Sequence, residues 1–175
     1  MQIIGLYGTK RSGKDTVYKL LKDSSKGFSI NLRREAFADN LKQEVADVLG
    51  IGLDKIENDK ERFRPMLQWY GADYRRFFSG EYYWVDQMIR KIQRNSKSKT
   101  TTVITDVRYP NEADLVKSRG VLIKVERDTG LEDMHSSETA MQDFSDFDYI
   151  LKNDSSLEVL KERVQNLFCQ IKDQA

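Results

Sequence analysis

The stretch Gly8-Thr9-Lys10-Arg11-Ser12-Gly13-Lys14-Asp15-Thr16 has the residue types and the spacing of an anion cradle. Its pattern, G-x-x-x-x-G-K, follows the apolar run at residues 2–7 and precedes a segment whose Val17, Leu20 and Leu21 form a helical stripe. Glycines let the backbone wrap a phosphate with its N–H groups, and a helix N-terminus adds positive potential. The lysine at the end of the pattern reaches the β- and γ-phosphates. Lys10, Arg11, Ser12, Gly13, Lys14, Asp15 and Thr16 are therefore candidate triphosphate contacts. The position that usually carries a Ser or Thr toward Mg²⁺ is Asp15, with Thr16 one residue on. Asp15 reads equally as a metal ligand, direct or through water, and as a first-turn acid favoured by the helix dipole. Without a ligand, the whole stretch reads as a Gly-containing βα turn with an Asp at the helix start.

Three further groups have chemistry to offer. Asp106-Val107-Arg108 ends the β-branched run Thr102-Val103-Ile104-Thr105, at the carboxyl end of a predicted central strand, where open α/β sheets bind ligands. An Asp there can hold Mg²⁺ through water, and an Arg two residues on can bridge two phosphates; phosphoryl transfer needs both positioning and charge neutralisation. Alternatively, the Asp caps a turn and the Arg joins a surface ion pair. Arg62, Arg64, Arg75 and Arg76 cluster with Gln68, Trp69, Tyr70 and Trp84. Guanidinium forks fit phosphates and aromatic faces stack on bases, although the same residues also suit a core with a charged face. Arg75 and Arg76 lie about 100° apart on a helix, so one of them faces any given site. Arg127 opens a polar loop, and His135, the one histidine, reads as a hydrogen-bonding surface residue.

Apolar runs of strand length alternate with helical periodicity around these groups. Strands are expected at 2–7, 102–106, 121–125 and 147–151, and helices at 113–118 and from Leu157 to Ile171. Leu41, Val45, Val48 and Leu49 mark a helix ended by Gly50; another starts at Pro65 and runs to about Phe78, and Val85, Met88, Ile89 and Ile92 mark a third. The pattern predicts one α/β domain over residues 1–175, a central parallel sheet covered by helices on both faces, with a strand-free helical flap at about 39–95.

The chain has 175 residues, 29 Lys+Arg against 28 Asp+Glu, and one cysteine. A net charge of +1 gives no global pull toward nucleic acid or anionic lipid, so the run Arg90, Lys91, Arg94, Lys97, Lys99 reads as a solvated helix end. No apolar run approaches membrane-span length, and a lone Cys169 excludes an intramolecular disulfide framework. These features predict a soluble protein of a reducing cytoplasm, with neither nucleic-acid nor membrane partners.

The Gly-Lys-Asp ending of the loop closely resembles that of bacteriophage deoxynucleoside monophosphate kinases. The similarity continues, in family order, through Phe37-Ala38-Asp39-Asn40-Leu41-Lys42, Leu67-Gln68-Trp69-Tyr70-Gly71-Ala72-Asp73-Tyr74-Arg75-Arg76 and Tyr83-Trp84-Val85. It ends with Ile104-Thr105-Asp106-Val107-Arg108-Tyr109-Pro110-Asn111-Glu112-Ala113 and His135-Ser136-Ser137-Glu138. The resemblance implies a P-loop kinase fold with a helical acceptor-binding region and a lid loop at about 127–143. It implies ATP with Mg²⁺ as donor, a deoxynucleoside monophosphate as acceptor, host cytoplasm as the location, and a homodimer. On this reading Lys14, Arg108 and Asp106 are catalytic, Asp15, Thr16 and Asp106 organise the metal, and Arg127 joins the ATP contacts. Phe37, Lys42, Arg64, Gln68, Trp69, Arg75, Arg76, Trp84 and Glu112 serve the acceptor. Animal phosphomevalonate kinases share the loop and a similar Asp-x-Arg segment and are the enzyme alternative. An ATP-binding regulatory module without turnover is the non-catalytic one.

A fixed positive charge bridging β- and γ-oxygens acts on the transition state more than on the fold. Lys14→Met is expected to melt like the wild type yet to lower kcat by several powers of ten, read by coupled ADP release alongside a thermal melt. Wild-type turnover in a folded variant refutes the loop assignment.

Overall fold

The computed structural model describes residues 3–130 and 139–172. In chain order the elements are β1 (Ile3–Tyr7), α1 (Lys14–Ser25), β2 (Asn31–Glu35), α2 (Phe37–Leu49), α3 (Leu53–Asn58) and α4 (Lys60–Gln68). A π-helical segment (Trp69–Arg76) leads to the short turn α5 (Phe77–Ser79) and then α6 (Tyr83–Lys97). β3 (Thr100–Val107), α7 (Pro110–Lys117), β4 (Gly120–Glu126), β5 (Tyr149–Lys152) and α8 (Leu157–Lys172) complete it. The strands form one sheet in the order β2-β3-β1-β4-β5, every neighbouring pair parallel. This is the expected doubly covered α/β architecture.

Strand periodicity sorts the apolar residues into two cores. Ile4 and Leu6 of β1, Val103 of β3 and Ile123 and Val125 of β4 meet Val17 and Leu21 of α1 and the Leu160, Val164, Phe168 stripe of α8. Ile3, Ile104 and Leu122 face the other way, against Trp84, Val85 and Met88 of α6 and Ala113 and Val116 of α7. A third, smaller core (Val45, Ala46, Ile56, Tyr70) holds the helices between β2 and β3 together. Among the described residues no helix is long and apolar enough to cross a membrane.

Three local features depart from the periodicity reading. β2 is a strand that the pattern does not announce: Asn31-Leu32-Arg33-Arg34-Glu35 sits at the sheet edge, where charged residues are the rule. α4 begins at Lys60, five residues before Pro65; the carbonyl that Pro65 leaves without a helical donor belongs to exposed Glu61, where water can serve it. β3 runs to Val107, one residue past the expected end at Asp106. Against β1, Gly5 pairs with Ile104 but Tyr7 pairs with Val107, so β3 carries one extra residue at Thr105–Asp106. Such a bulge re-aims side chains at the end of a strand, and it puts Ile104 and Val107 in the same core although they are three apart.

The turn after β1 is fixed from the far side of the sheet. Asn153, just past β5, takes the Glu126 carbonyl with its backbone N–H (2.8 Å) and gives its side-chain amide to the Ser12 carbonyl (2.8 Å). Gly13, the residue that caps α1, has φ of 100°, and a Cβ there would strike the Asn153 amide. Gly13→Ala therefore combines backbone strain with a clash; a loss of about 1–3 kcal/mol is expected by chemical denaturation. An unchanged midpoint would show that the loop is free to rebuild.

Candidate active site

The loop between β1 and α1 stands at the carboxyl end of the central strand. Arg11 adopts a left-handed conformation (φ 64°), and the Ser12 N–H closes a turn onto the Thr9 carbonyl (3.1 Å). Lys14 folds over the loop, its ammonium donating to the carbonyls of Gly8 (2.6 Å) and Thr9 (2.9 Å). The cationic head is thus held at the rim of the cradle. Asp15 is exposed on the first turn of α1, 3.7 Å from the Arg34 guanidinium, which also reaches Asp39 (3.2 Å).

In front of the loop lies a cleft of about 560 Å³. Lys10, Arg11, Lys14, Arg34, Lys42, Lys60, Arg64, Arg76 and Arg108 line it, against Asp15, Glu61, Asp106 and Glu112. Nine cations to four carboxylates, in a chain whose net charge is +1, make the cleft a local trap for a polyanion. Apolar walls come from Phe37, Leu41, Leu67 and Trp84, with Gln68 and Thr105 as polar points among them. Lys10 of the loop bonds Glu61 of α4 across the mouth (2.9 Å), and Lys42 bonds Glu57 of α3 (2.8 Å). Exposed pairs of this kind are each worth about 0–1 kcal/mol, so they yield easily to a phosphate.

Two enclosed carboxylates organise the floor. The Asp106 oxygens accept the N–H groups of Phe37 (2.9 Å) and Ala38 (2.9 Å), capping the N-terminus of α2. Burial pushes the Asp106 carboxyl above its ordinary value; the two amides pull it part of the way back. Glu112 sits three residues into α7 and accepts from the backbone N–H groups of Arg108 (2.8 Å) and Tyr109 (3.3 Å), as a capping carboxylate does. Its other oxygen meets the Arg76 guanidinium (2.5 Å), which lies over the Tyr109 ring and also donates to the Glu81 carbonyl (3.0 Å). Burial pushes the Glu112 carboxyl up to about 7, although Arg76 draws it down.

Thirteen of the residues singled out from sequence meet in this one cleft: Lys10, Arg11, Lys14, Asp15, Phe37, Lys42, Arg64, Gln68, Arg76, Trp84, Asp106, Arg108 and Glu112. Ser12, Gly13 and Thr16 stand behind it in the loop and first helical turn. Trp69, Arg75 and Arg127 are not brought to it. Trp69 is 49% exposed and packs on Tyr70 and Tyr74, and Arg75 turns back onto Glu44 (2.8 Å). Arg127 is exposed just past β4. Trp84 borders the cleft but is only 4% exposed, its indole N–H given to the Gly71 carbonyl (3.0 Å) and its ring set edge-on to Tyr83. It is a wall of the core more than a free stacking plate. His135, with residues 131–138 of the lid expected at about 127–143, lies outside the described residues. Arg34, Lys60, Glu61, Thr105 and Tyr109 line the cleft without having been singled out; Arg34 could be found only by recognising the polar β2 as a strand.

Fold and cleft together define a P-loop phosphotransferase, with a phosphate loop facing a cationic pocket across the end of a parallel sheet. A family model for deoxynucleotide monophosphate kinases matches residues 31–164, and the chain belongs to that family: it is a kinase that phosphorylates deoxynucleoside monophosphates. A protein of Acanthamoeba polyphaga mimivirus, provisionally described as a deoxynucleotide monophosphate kinase, is 27% identical over 90% of this chain and 91% of its own. Among solved structures, a gluconokinase from Sinorhizobium meliloti superposes with a TM-score of 0.54 (12% identity, 99% and 94% of the two chains). Shikimate kinase from Aquifex aeolicus superposes with a TM-score of 0.50 (16% identity, 98% of each). At these identities the solved structures show the shared P-loop kinase fold. The family match does not favour a phosphomevalonate-type kinase or a module without turnover.

The burial of Trp84 makes a definite statement about its loss. Trp84→Ala is expected to cost about 3–5 kcal/mol of stability, as large-to-small core changes do, and to weaken both substrates as the wall collapses. A variant that melts normally and raises only the acceptor KM would make the indole a base-stacking plate.

Proposed function

We propose that the phosphate loop holds the ATP triphosphate, that the far half of the cleft holds the deoxynucleoside monophosphate, and that Arg108 serves the group in flight between them. The observation that supports this most is a single cleft lined both by Lys14 with the phosphate loop and by the Arg76–Glu112 pair. Lys14 leaves the Gly8 and Thr9 carbonyls for the β- and γ-oxygens, joined by the loop amides. Arg76, Arg64 and Lys42 receive the acceptor phosphate, while Phe37, Leu41, Leu67 and Gln68 surround its sugar and base. The nucleophile is a phosphate oxygen already carrying negative charge, so no strong general base is required.

Phosphoryl transfer is chiefly a matter of alignment and of neutralising spread charge. Asp106 contributes alignment, since it ties the end of β3 to the start of α2, the helix from which Lys42 reaches the acceptor half. Among the described residues there is no cluster of three or more His, Cys, Asp or Glu groups able to hold a metal. Asp15, Thr16 and Asp106 instead offer a few hard oxygen donors. That set fits Mg²⁺ delivered on nucleotide phosphates, which takes one or two protein ligands and keeps its waters. When bound, the ion supplies neutralisation of phosphate oxygens. The lone cysteine, exposed and unpaired in a disulfide, accords with a reducing cytoplasm.

Glu112 tunes this arrangement. Its raised value means that near neutral pH a good fraction is protonated, and a protonated Glu112 leaves the Arg76 charge uncancelled for the incoming phosphate.

A coupled ADP-release assay over ribo- and deoxynucleoside monophosphates, with mevalonate phosphate as control, tests the reading; turnover confined to deoxynucleoside monophosphates is expected. Within it, Arg108→Ala is expected to lower kcat and kcat/KM together by about 10³-fold with ATP affinity little altered. Lys should rescue only partly, because it lacks the planar fork. Loss confined to the acceptor KM would make Arg108 a ground-state phosphate clamp.

A further inference from the structure

The helix that borders the acceptor half is α-helical to Gln68 and then widens through the π-helical Trp69–Arg76. A π turn closes i→i+5 bonds in place of i→i+4 and so takes up an extra residue. Every later side chain is thereby turned about 100° from its place on an unbroken α-helix. The adjacent arginines report that rotation. Arg75 donates to Glu44 and lies among the Tyr70, Tyr74 and Tyr83 rings, whereas Arg76 meets Glu112 and lines the cleft. With the extra residue removed, the direction now held by Arg76 would fall to Arg75.

Glu44, on α2, grips the widened turn. One oxygen accepts from the Tyr83 hydroxyl of α6 (2.5 Å). The other accepts from the Tyr70 hydroxyl (3.3 Å) and Arg75 Nε (2.8 Å). Tyr70 and Arg75 are five apart, a spacing that an α-helix splays by about 140° and a π turn brings onto one face. Two further contacts suit the same backbone path. Trp84 satisfies the Gly71 carbonyl (3.0 Å), and Gly71 passes so near Leu41 of α2 that a Cβ would come within 2.9 Å of its methyl.

We propose that Glu44 is a positioning residue for the acceptor: its carboxylate selects the π register of Trp69–Arg76 and so delivers Arg76, not Arg75, to the cleft. The inference rests on the reading of that half of the cleft as the monophosphate site. Glu44 itself does not line the cleft, so it acts through Arg76.

The test is a double-mutant cycle with steady-state kinetics on whichever deoxynucleoside monophosphate the wild type turns over best. Glu44→Ala should raise the acceptor KM about tenfold, the scale of one charge-assisted contact, and leave the ATP KM within about twofold. Glu44→Gln, which keeps two acceptor lone pairs, should recover most of the loss. In combination with Arg76→Ala, Glu44→Ala should add little to the loss that Arg76→Ala already causes, because both remove the same contact. Tyr83→Phe, which deletes one hydroxyl, should shift the acceptor KM in the same direction by about two- to threefold, and it covers the case in which Glu44→Ala does not fold. Additive losses, or both substrates weakened in step with the melting temperature, would overturn the proposal. If Arg76→Ala raises the acceptor KM and neither Glu44→Ala nor Tyr83→Phe moves it, this inference fails alone. If the wild type phosphorylates no deoxynucleoside monophosphate, the reading of the cleft fails and this inference with it.

Discussion

A carboxylate at the end of the sheet ties it to the start of the helical region. Asp106 leaves the end of β3 and holds the first two N–H groups of α2, so the helix that carries Leu41, Lys42 and Glu44 is fixed relative to the strand beside the phosphate loop. A helix start has unsatisfied donors and a positive dipole end; a carboxylate answers both. The bulge at Thr105–Asp106 is what makes the carboxylate available there. In a flat strand, strict alternation would place Ile104 and Val107 on opposite faces, and one of the two cores would lose a buried side chain. Fold stability and site geometry therefore draw on the same extra residue.

Electrostatics in the cleft is a contest between solvation and pairing. Two unit charges near contact attract by about 4 kcal/mol at an effective dielectric near 20, while enclosing each ion costs several kcal/mol. The Arg76–Glu112 pair, almost fully enclosed, sits close to that balance, and the carboxyl rises to about 7 in spite of the guanidinium. As pH rises from the ordinary carboxylate range through that value, this group withdraws stability, because the unfolded chain ionises it more readily than the folded one. What is gained is an arginine whose partner can be neutralised, beside an apolar wall where a phosphate finds little competing water. The exposed pairs Lys10–Glu61 and Lys42–Glu57 are cheap to open and stand where a nucleotide must enter.

Much of the fold is legible in the sequence because burial on both faces leaves a dense apolar signal. β1, β3, β4 and the α8 stripe are all places where hydrophobic spacing and structure agree. β2 is illegible for the opposite reason. As an edge strand with a solvated side it needs only Leu32 in the core, and its Arg33 and Arg34 look like a loop. The start of α4 was masked by a valid rule about proline at helix starts; an exposed carbonyl at Glu61 removes the penalty the rule assumes.

For the site, residue types were legible and directions were not. Lysine, arginine and carboxylate at the right spacing announce a phosphate site, and thirteen of those residues do share one cleft. Sequence could not choose between Arg75 and Arg76, because that choice is made by backbone hydrogen bonding, not by composition. A helical wheel drawn at 100° per residue assumes one hydrogen-bond pattern throughout, and the π segment breaks it inside the acceptor region. The same limit applies to Trp84 and Trp69: one is enclosed and the other half exposed, though both have the size and ring face that stacking requires. Tyr70 and Arg75, five residues apart and converging on one carboxylate, are the sequence's nearest trace of that register. The trace becomes readable only once Glu44 is known to lie opposite them, since spacing within one helix cannot name its partner on another.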